Sequence, residues 1–216
     1  MSRACRLPWL LALAVLAAPG YAAAHGVALD THGCHHDRRA GDYHCHQGPL
    51  AGRVFPSRKV AGTTLWLVQQ LAAQGADALA LTADAQVIDG DTLELDGRRV
   101  RIHGIDAPER DQTCRAHGAD TPCGQQATAA MRALVSGHPV TCVVAEVDTY
   151  GRLLGTCQGG NGADLGRAMV ASGWALAFRH FSERYVPDEE RARAMGAGIW
   201  AGEFTPPREW RRSHPR

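Results

Sequence analysis

At 216 residues, 45% of them hydrophobic and 6% aromatic, the chain has room for one medium domain with short additions, and it can bury a core without obligatory disulfides. Lysine and arginine number 23 against 22 aspartate and glutamate, so no bulk positive field announces a nucleic-acid ligand and any attraction to phosphate must be local. Nearly all the positive charge is arginine, Lys59 being the only lysine, and the guanidinium fork suits bidentate phosphate contacts.

The first element is a leader. Arg3 and Arg6 precede an apolar run from Leu7 to Pro19, and Gly20-Tyr21-Ala22-Ala23-Ala24 follows. A positive start, a short apolar stretch and an Ala-x-Ala site predict a secretory signal over residues 1–24. A run of roughly 13 apolar residues is too short to span a bilayer comfortably. The expected product is therefore exported, periplasmic or secreted, with no stable membrane association after cleavage. Arg3 and Arg6 leave with the leader, so the mature balance is 23 − 2 = 21 basic against 22 acidic residues. Cys5 leaves as well. The six that remain, Cys34, Cys45, Cys114, Cys123, Cys142 and Cys157, read as up to three disulfides in an oxidising compartment. Proximity suggests 34–45, 114–123 and 142–157. None stands in C-x-x-C spacing, which argues against a redox enzyme or a zinc ribbon.

Residues 25–48 form a small His/Cys-rich module with almost no aliphatic core. Six of the 11 histidines lie here: His25, His32, His35, His36, His44 and His46. Gly33-Cys34-His35-His36 and Tyr43-His44-Cys45-His46 are two matched clusters that could close on zinc, nickel or copper. Export favours a Cys34–Cys45 disulfide instead, with solvated histidines or with a second metal site drawn from His25, His35, His36, His44 and His46 beside it. Cleavage after Ala24 would also make His25 the N-terminus, where amine and imidazole together could chelate copper. Zn2+ or Cu2+ is the cofactor this arm implies.

Residues 49–82 read as a connector, in which Leu65, Val68 and Leu71 recur at helical spacing over 63–74. Residues 83–216 read as one domain. Strand signals run from Gln86 through Leu93 and Leu95, turn at Asp96-Gly97, and return through Val100 and Ile102 with Arg101 on the outer face. A second hairpin spans Val140 to Cys157. With Thr149-Tyr150 at its turn, Cys142 and Cys157 fall opposite one another, within reach of a disulfide. Helices are predicted over Ala127–Val135, about Ala163–Ser172 and about Pro187–Met195. Hairpins followed by helices predict an α+β domain, a small β-barrel with about three packed helices.

Four carboxylates, Asp89, Asp91, Asp106 and Glu109, come from one strand turn and the loop after the returning strand, and hairpin pairing brings both groups to one end of the barrel. Hard oxygen donors without His or Cys favour calcium or magnesium. Arg101 projects between them, and Arg152 follows a Tyr-Gly turn. A dication with convergent guanidiniums is what attack at phosphorus needs, because charge on the phosphoryl oxygens rises toward the transition state. Any one of these motifs alone is an ordinary turn or strand cap. Their joint occurrence in this order is informative.

Val87-Ile88-Asp89-Gly90-Asp91-Thr92, Arg101 to Glu109 (RIHGIDAPE) and Asp148-Thr149-Tyr150-Gly151-Arg152 resemble the staphylococcal nuclease family. Gly173-Trp174-Ala175, Gly198-Ile199-Trp200 and the tail Phe204…Trp210-Arg211 add to the likeness, which covers about residues 85–212. The resemblance implies a five-stranded oligonucleotide-binding-fold barrel and a calcium-dependent phosphodiesterase acting on DNA or RNA and leaving 3′-phosphates. It implies that Asp91, Asp106 and the Ala107 backbone carbonyl ligate calcium, with Asp89 behind them. Glu109 would position or deprotonate water, and Arg101 and Arg152 would bind the phosphate and stabilise five-coordinate phosphorus.

Two departures stand out. Thr149 occupies a position where the family's best-known member has lysine, and Phe178-Arg179-His180 replaces a tyrosine-rich run. An insertion, Arg110 to Gly124, carries Cys114 and Cys123 close to Glu109, as a flap over the cleft or as a surface loop closed by its own crosslink. Two rival readings remain at this level: a catalytically weak nucleic-acid- or protein-binding module on the same fold, and an exported metal-binding protein acting through the arm. The full set Asp91, Arg101, Asp106, Glu109 and Arg152 favours the enzyme. The oligomeric state is left open.

Overall fold

The computed structural model describes residues 28–116 and 118–215, so the predicted leader, Cys5 and His25 lie outside the described residues. The first element is a hairpin, β1 (Cys34–Asp37) paired antiparallel with β2 (Asp42–Cys45). Gly41 supplies the left-handed conformation its turn requires. Cys34 stands opposite Cys45 and is bonded to it, the disulfide that export favours, and neither thiol is left for a metal. β3 (Val54–Phe55) lies along β2. Period-two alternation turns Cys34, Tyr43 and Cys45 inward, where they meet Leu50, Phe55, Val60 and Ala61. The His-rich segment thus takes its core from residues 50–61.

α1 (Arg58–Gln74) starts at Ser57, whose side chain accepts the Val60 N–H, and ends at Gly75 in the left-handed conformation. Val60 and Ala61 cover the hairpin, whereas Leu67, flanked by Trp66 and Leu71, joins the main core. Burial of Leu67 contributes ~2 kcal/mol. The Arg98 guanidinium lies 3.6 Å over the Trp66 ring, a second tie. Residues 50–74 therefore fix the hairpin to the domain.

Beyond α1 come β4 (Leu79–Ala83), β5 (Ala85–Val87), β6 (Thr92–Leu95), β7 (Arg98–Ile102) and β8 (Ile105–Asp106). A small hairpin, β9 (Cys114–Ala116) and β10 (Ala119–Thr121), precedes α2 (Cys123–Val135), β11 (Val140–Val147) and β12 (Leu153–Gln158). The chain closes with α3 (Leu165–Ala171), β13 (Leu176–Ala177), α4 (Val186–Ala194), β14 (Gly202–Glu203) and α5 (Pro207–Ser213). One curled sheet runs in the order β4-β11-β12-β7-β6-β5, antiparallel except where β12 meets β7. Leu93, Val100, Ile102, Val144 and Leu153 line its inner face against Met131 of α2 and Met169 of α3.

The architecture is α+β, with two differences from expectation. The sheet has six strands rather than five, because Leu79–Ala83, assigned to the connector, pairs with the free edge of β11. Five α-helices occur among the described residues: α1 takes in the 63–74 segment of helical spacing, α2, α3 and α4 are the predicted three, and α5 is the addition. Asp96 and Gly97 both have positive φ, as the tight turn at that site demands. Cys142 faces Cys157 and is bonded to it, and the third disulfide joins Cys114 to Cys123. No helix among the described residues is long and apolar enough to cross a membrane.

Candidate active site

The Asp89 turn is held by its own side chain, Asp89 Oδ1 accepting the Asp91 N–H at 3.0 Å. Gly90 has no room for a side chain: a Cβ there would stand 2.7 Å from the Ala107 Cβ and 3.1 Å from that of Ala127. This close approach carries Asp91 onto the Ala107 loop, where its Oδ2 accepts the Ala107 N–H at 2.9 Å. Thr92 pairs across the hairpin with Arg101, so the guanidinium emerges beside Asp91. Asp106 is fixed by β8, which pairs with β13 through Leu176. Glu109 is buttressed by the insertion. Its N–H donates to Gln112 Oε1, Gln112 Nε2 donates to the Thr205 carbonyl at 2.7 Å, and Gly124 packs flat against the Glu109 carbonyl. The disulfide-closed hairpin is thus docked against Ile199, Trp200 and Phe204.

These elements bring Asp89, Asp91, Arg101, Asp106, Ala107 and Glu109 to one end of the barrel. Arg101 bridges two carboxylates, Nη1 donating to Asp91 Oδ1 and Nη2 to Asp106 Oδ1 at 2.8 Å. A residue with no role assigned from sequence completes the cluster. Arg211, on α5, donates from Nη1 to Asp106 Oδ1 at 3.0 Å and Glu109 Oε1 at 2.8 Å, and from Nη2 to Asp106 Oδ2 at 3.2 Å. Asp91 and Asp106 are 2% and 3% exposed, and a carboxylate buried to that degree needs the guanidiniums that meet both of them.

Burial pushes the Asp89 carboxyl up to about 7, and the neighbouring Asp91 charge pushes the same way. Burial also raises Asp106, against the pull of Arg211 and Arg101. Arg101 feels the opposite balance: burial disfavours its charge, but Asp91 and Asp106 outweigh that and hold it protonated. Two carboxylates that resist ionisation beside a third, with oxygen donors and no His or Cys, form a donor set that fits a hard dication. As the side chains stand, Arg101 lies between Asp91 and Asp106. No three His, Cys, Asp or Glu side chains among the described residues gather around one point.

Arg152 does not join this cluster. Its Nε and Nη2 both donate to Asp148 Oδ2 at 2.7 Å. The parallel register of β12 on β7 pairs Leu154 with Arg101, which sets Arg152 two residues away on the same side of the sheet. Tyr150 beside it is 71% exposed. Lys59 lies against this turn as well, its Cγ 3.3 Å from where a Gly151 Cβ would stand, and Thr63 donates to the Gly151 carbonyl. Helix α1 therefore brings the only lysine to a turn that has threonine at position 149. The cavity of about 730 Å3 beside β5 is lined by Arg110, Arg132 and His138, and by none of the clustered acids.

Residues 99–202 match the family model described as staphylococcal nuclease homologue. An uncharacterized endonuclease of Escherichia coli is 33% identical over 133 residues, 58% of this chain and 81% of the relative. The chain belongs to the staphylococcal nuclease family. Among relatives of this family member, the succinoglycan biosynthesis protein ExoI of Rhizobium meliloti is 40% identical over 124 residues, 56% of this chain and 64% of the relative. The probable staphylococcal-like nuclease CAN2 of rice is 31% identical over 147 residues, 64% of this chain but 37% of the relative. The match thus spans less than two thirds of two of these three. Arg101, Asp106, Glu109 and Arg152 fall inside the matched family segment; Asp89, Asp91 and Arg211 fall outside it.

Proposed function

We propose that the chain is an exported, calcium-dependent nuclease that hydrolyses phosphodiester bonds of DNA or RNA and leaves 3′-phosphates. The observation that carries this reading is the cluster of Asp89, Asp91, Asp106 and Glu109 with Arg101 and Arg211 at one end of the barrel. Asp91, Asp106 and the Ala107 carbonyl are the groups that would hold calcium, with Asp89 behind them. Bound there, the ion supplies a Lewis acid for a phosphoryl oxygen.

The chain's own residues supply the rest. Arg101 must release at least one carboxylate to donate to a non-bridging oxygen, and Arg211 keeps Asp106 and Glu109 in place while it does so. Glu109 is the acceptor for a proton from the attacking water. Arg152 reaches the phosphate from the neighbouring strand, leaving Asp148. Fixed guanidiniums act strongly here because the Asp91 and Asp106 carboxylates beside them are nearly buried.

Incubating the mature protein with end-labelled single-stranded DNA, with calcium or with excess chelator, tests this. Calcium-only cleavage to 3′-phosphate ends supports the reading. Binding without cleavage in either condition would favour a non-catalytic module on the same fold, and undiminished cutting in chelator would remove calcium from the account.

A further inference from the structure

The function proposed above makes no use of the N-terminal hairpin, whose outer face carries an ordered group of imidazoles. His35 and His44 are cross-strand partners, and His46 follows two residues along from His44. Alternation that turns Cys34, Tyr43 and Cys45 inward turns these three outward. Ring centres lie 5.0 Å apart for His35 and His46, 5.9 Å for His35 and His44, and 6.4 Å for His44 and His46. His36 is excluded: it pairs with Tyr43 and packs edge-on against that ring.

The nitrogen atoms are ordered as well. His35 Nδ1 lies 3.1 Å from the His36 carbonyl, a contact that only its N–H form can make, so Nε2 carries the free lone pair. That Nε2 accepts the His46 Nε2 N–H at 3.0 Å, so the two nitrogens already share one proton, whose place a cation could take. His44 Nε2 lies 2.6 Å from Asp42 Oδ1, close but poorly angled for a hydrogen bond. With the Asp42 carboxylate beside Nε2, Nδ1 is the His44 nitrogen left to face a metal. The Cys34–Cys45 disulfide pins both strands directly beside the group and leaves no thiolate to compete.

We propose that His35, His44 and His46 form a site for one borderline transition-metal dication of the zinc class, held on the hairpin face by three imidazoles with one position open. His-x-His on one strand and a third histidine opposite place three imidazoles on one side of a sheet; as the rings stand they do not meet at one point, and a turn of the His44 ring would gather them. The acid cluster, built of oxygen donors, prefers a hard cation, so the two sites discriminate between metals. The hairpin site stands whether or not the barrel cuts nucleic acid.

The test titrates metal-free, disulfide-intact mature protein with Zn2+ by calorimetry in the presence of excess Ca2+, alongside His35→Ala, His46→Ala and His36→Ala. One zinc equivalent is expected in the wild type and in His36→Ala, weakened about tenfold or more in the other two. Co2+ in place of zinc reports geometry: visible absorption bands of a four-coordinate ion should appear in the wild type and vanish in His46→Ala. Mass spectrometry of the Cys34–Cys45 peptide establishes that each variant keeps its hairpin. Equal zinc binding by wild type and His35→Ala, or no zinc binding by the wild type, overturns the proposal.

Discussion

The two ends of this chain gather ionisable side chains in opposite ways. At the barrel mouth, two buried aspartates and the partly buried acids and guanidiniums around them are drawn from five elements and interlocked so that each charge depends on another. On the N-terminal hairpin, imidazoles stand on an open face, drawn from two adjacent strands and pinned by one disulfide. The first arrangement makes the fold depend on the site, because removing one partner strands a buried charge. The second leaves the fold indifferent to it, because a surface histidine costs little to lose.

The largest expected effect comes from Asp106→Ala. It leaves Arg101 and Arg211 facing each other without their shared partner, which should cost ~3–5 kcal/mol of unfolding free energy and abolish cleavage. His46→Ala on the hairpin should stay within ~0.5 kcal/mol of the wild type. Denaturant midpoints of the two variants measured side by side check the contrast. If they lose equal stability, the comparison fails. Arg211→Ala should be milder, since its side chain is 38% exposed, and should lower kcat about tenfold by releasing Asp106 and Glu109. An unchanged kcat would reduce Arg211 to a structural tie.

The Asp89 carboxyl gives the cluster a pH signature. In the unfolded chain it ionises near 3.8, whereas in the fold burial and Asp91 hold it protonated up to about 7. Between those values the folded protein keeps a proton the unfolded chain has lost, so stability in chelator should fall as pH rises from about 4 to about 7. Asp89→Asn should flatten that stretch of a melting-temperature curve. A wild-type slope identical to that of the variant contradicts the assigned burial. The smallest effect is expected from Lys59→Ala, which should raise KM for single-stranded DNA modestly and reduce the salt slope of binding by ~1.

Local features were the legible ones. Asp96-Gly97 fixed its turn, and the spacing around Thr149-Tyr150 paired Cys142 with Cys157, because a hairpin's register is set within a few residues. β4 escaped notice because an edge strand of Leu79, Leu81 and Ala83 acquires its identity only by pairing with β11, some sixty residues on. Arg211 was visible as part of a familiar tail, yet nothing nearby in sequence ties it to Asp106, which is 105 residues away. His35 and His36 look equivalent in the sequence, and the pleat separates them. The sequence pattern groups Arg152 with Arg101, whereas in the fold Arg152 donates to Asp148.

That last residue exposes the central claim most directly, because Arg101 already belongs to the buried cluster and Arg152 must turn from Asp148 to reach a phosphate. The decisive measurement is the initial rate of single-stranded DNA cleavage at saturating calcium by wild type, Arg101→Ala and Arg152→Ala. The account predicts a loss of about 10²–10³ in kcat for each arginine variant. Undiminished cutting by Arg152→Ala would contradict a phosphate gripped from both strands.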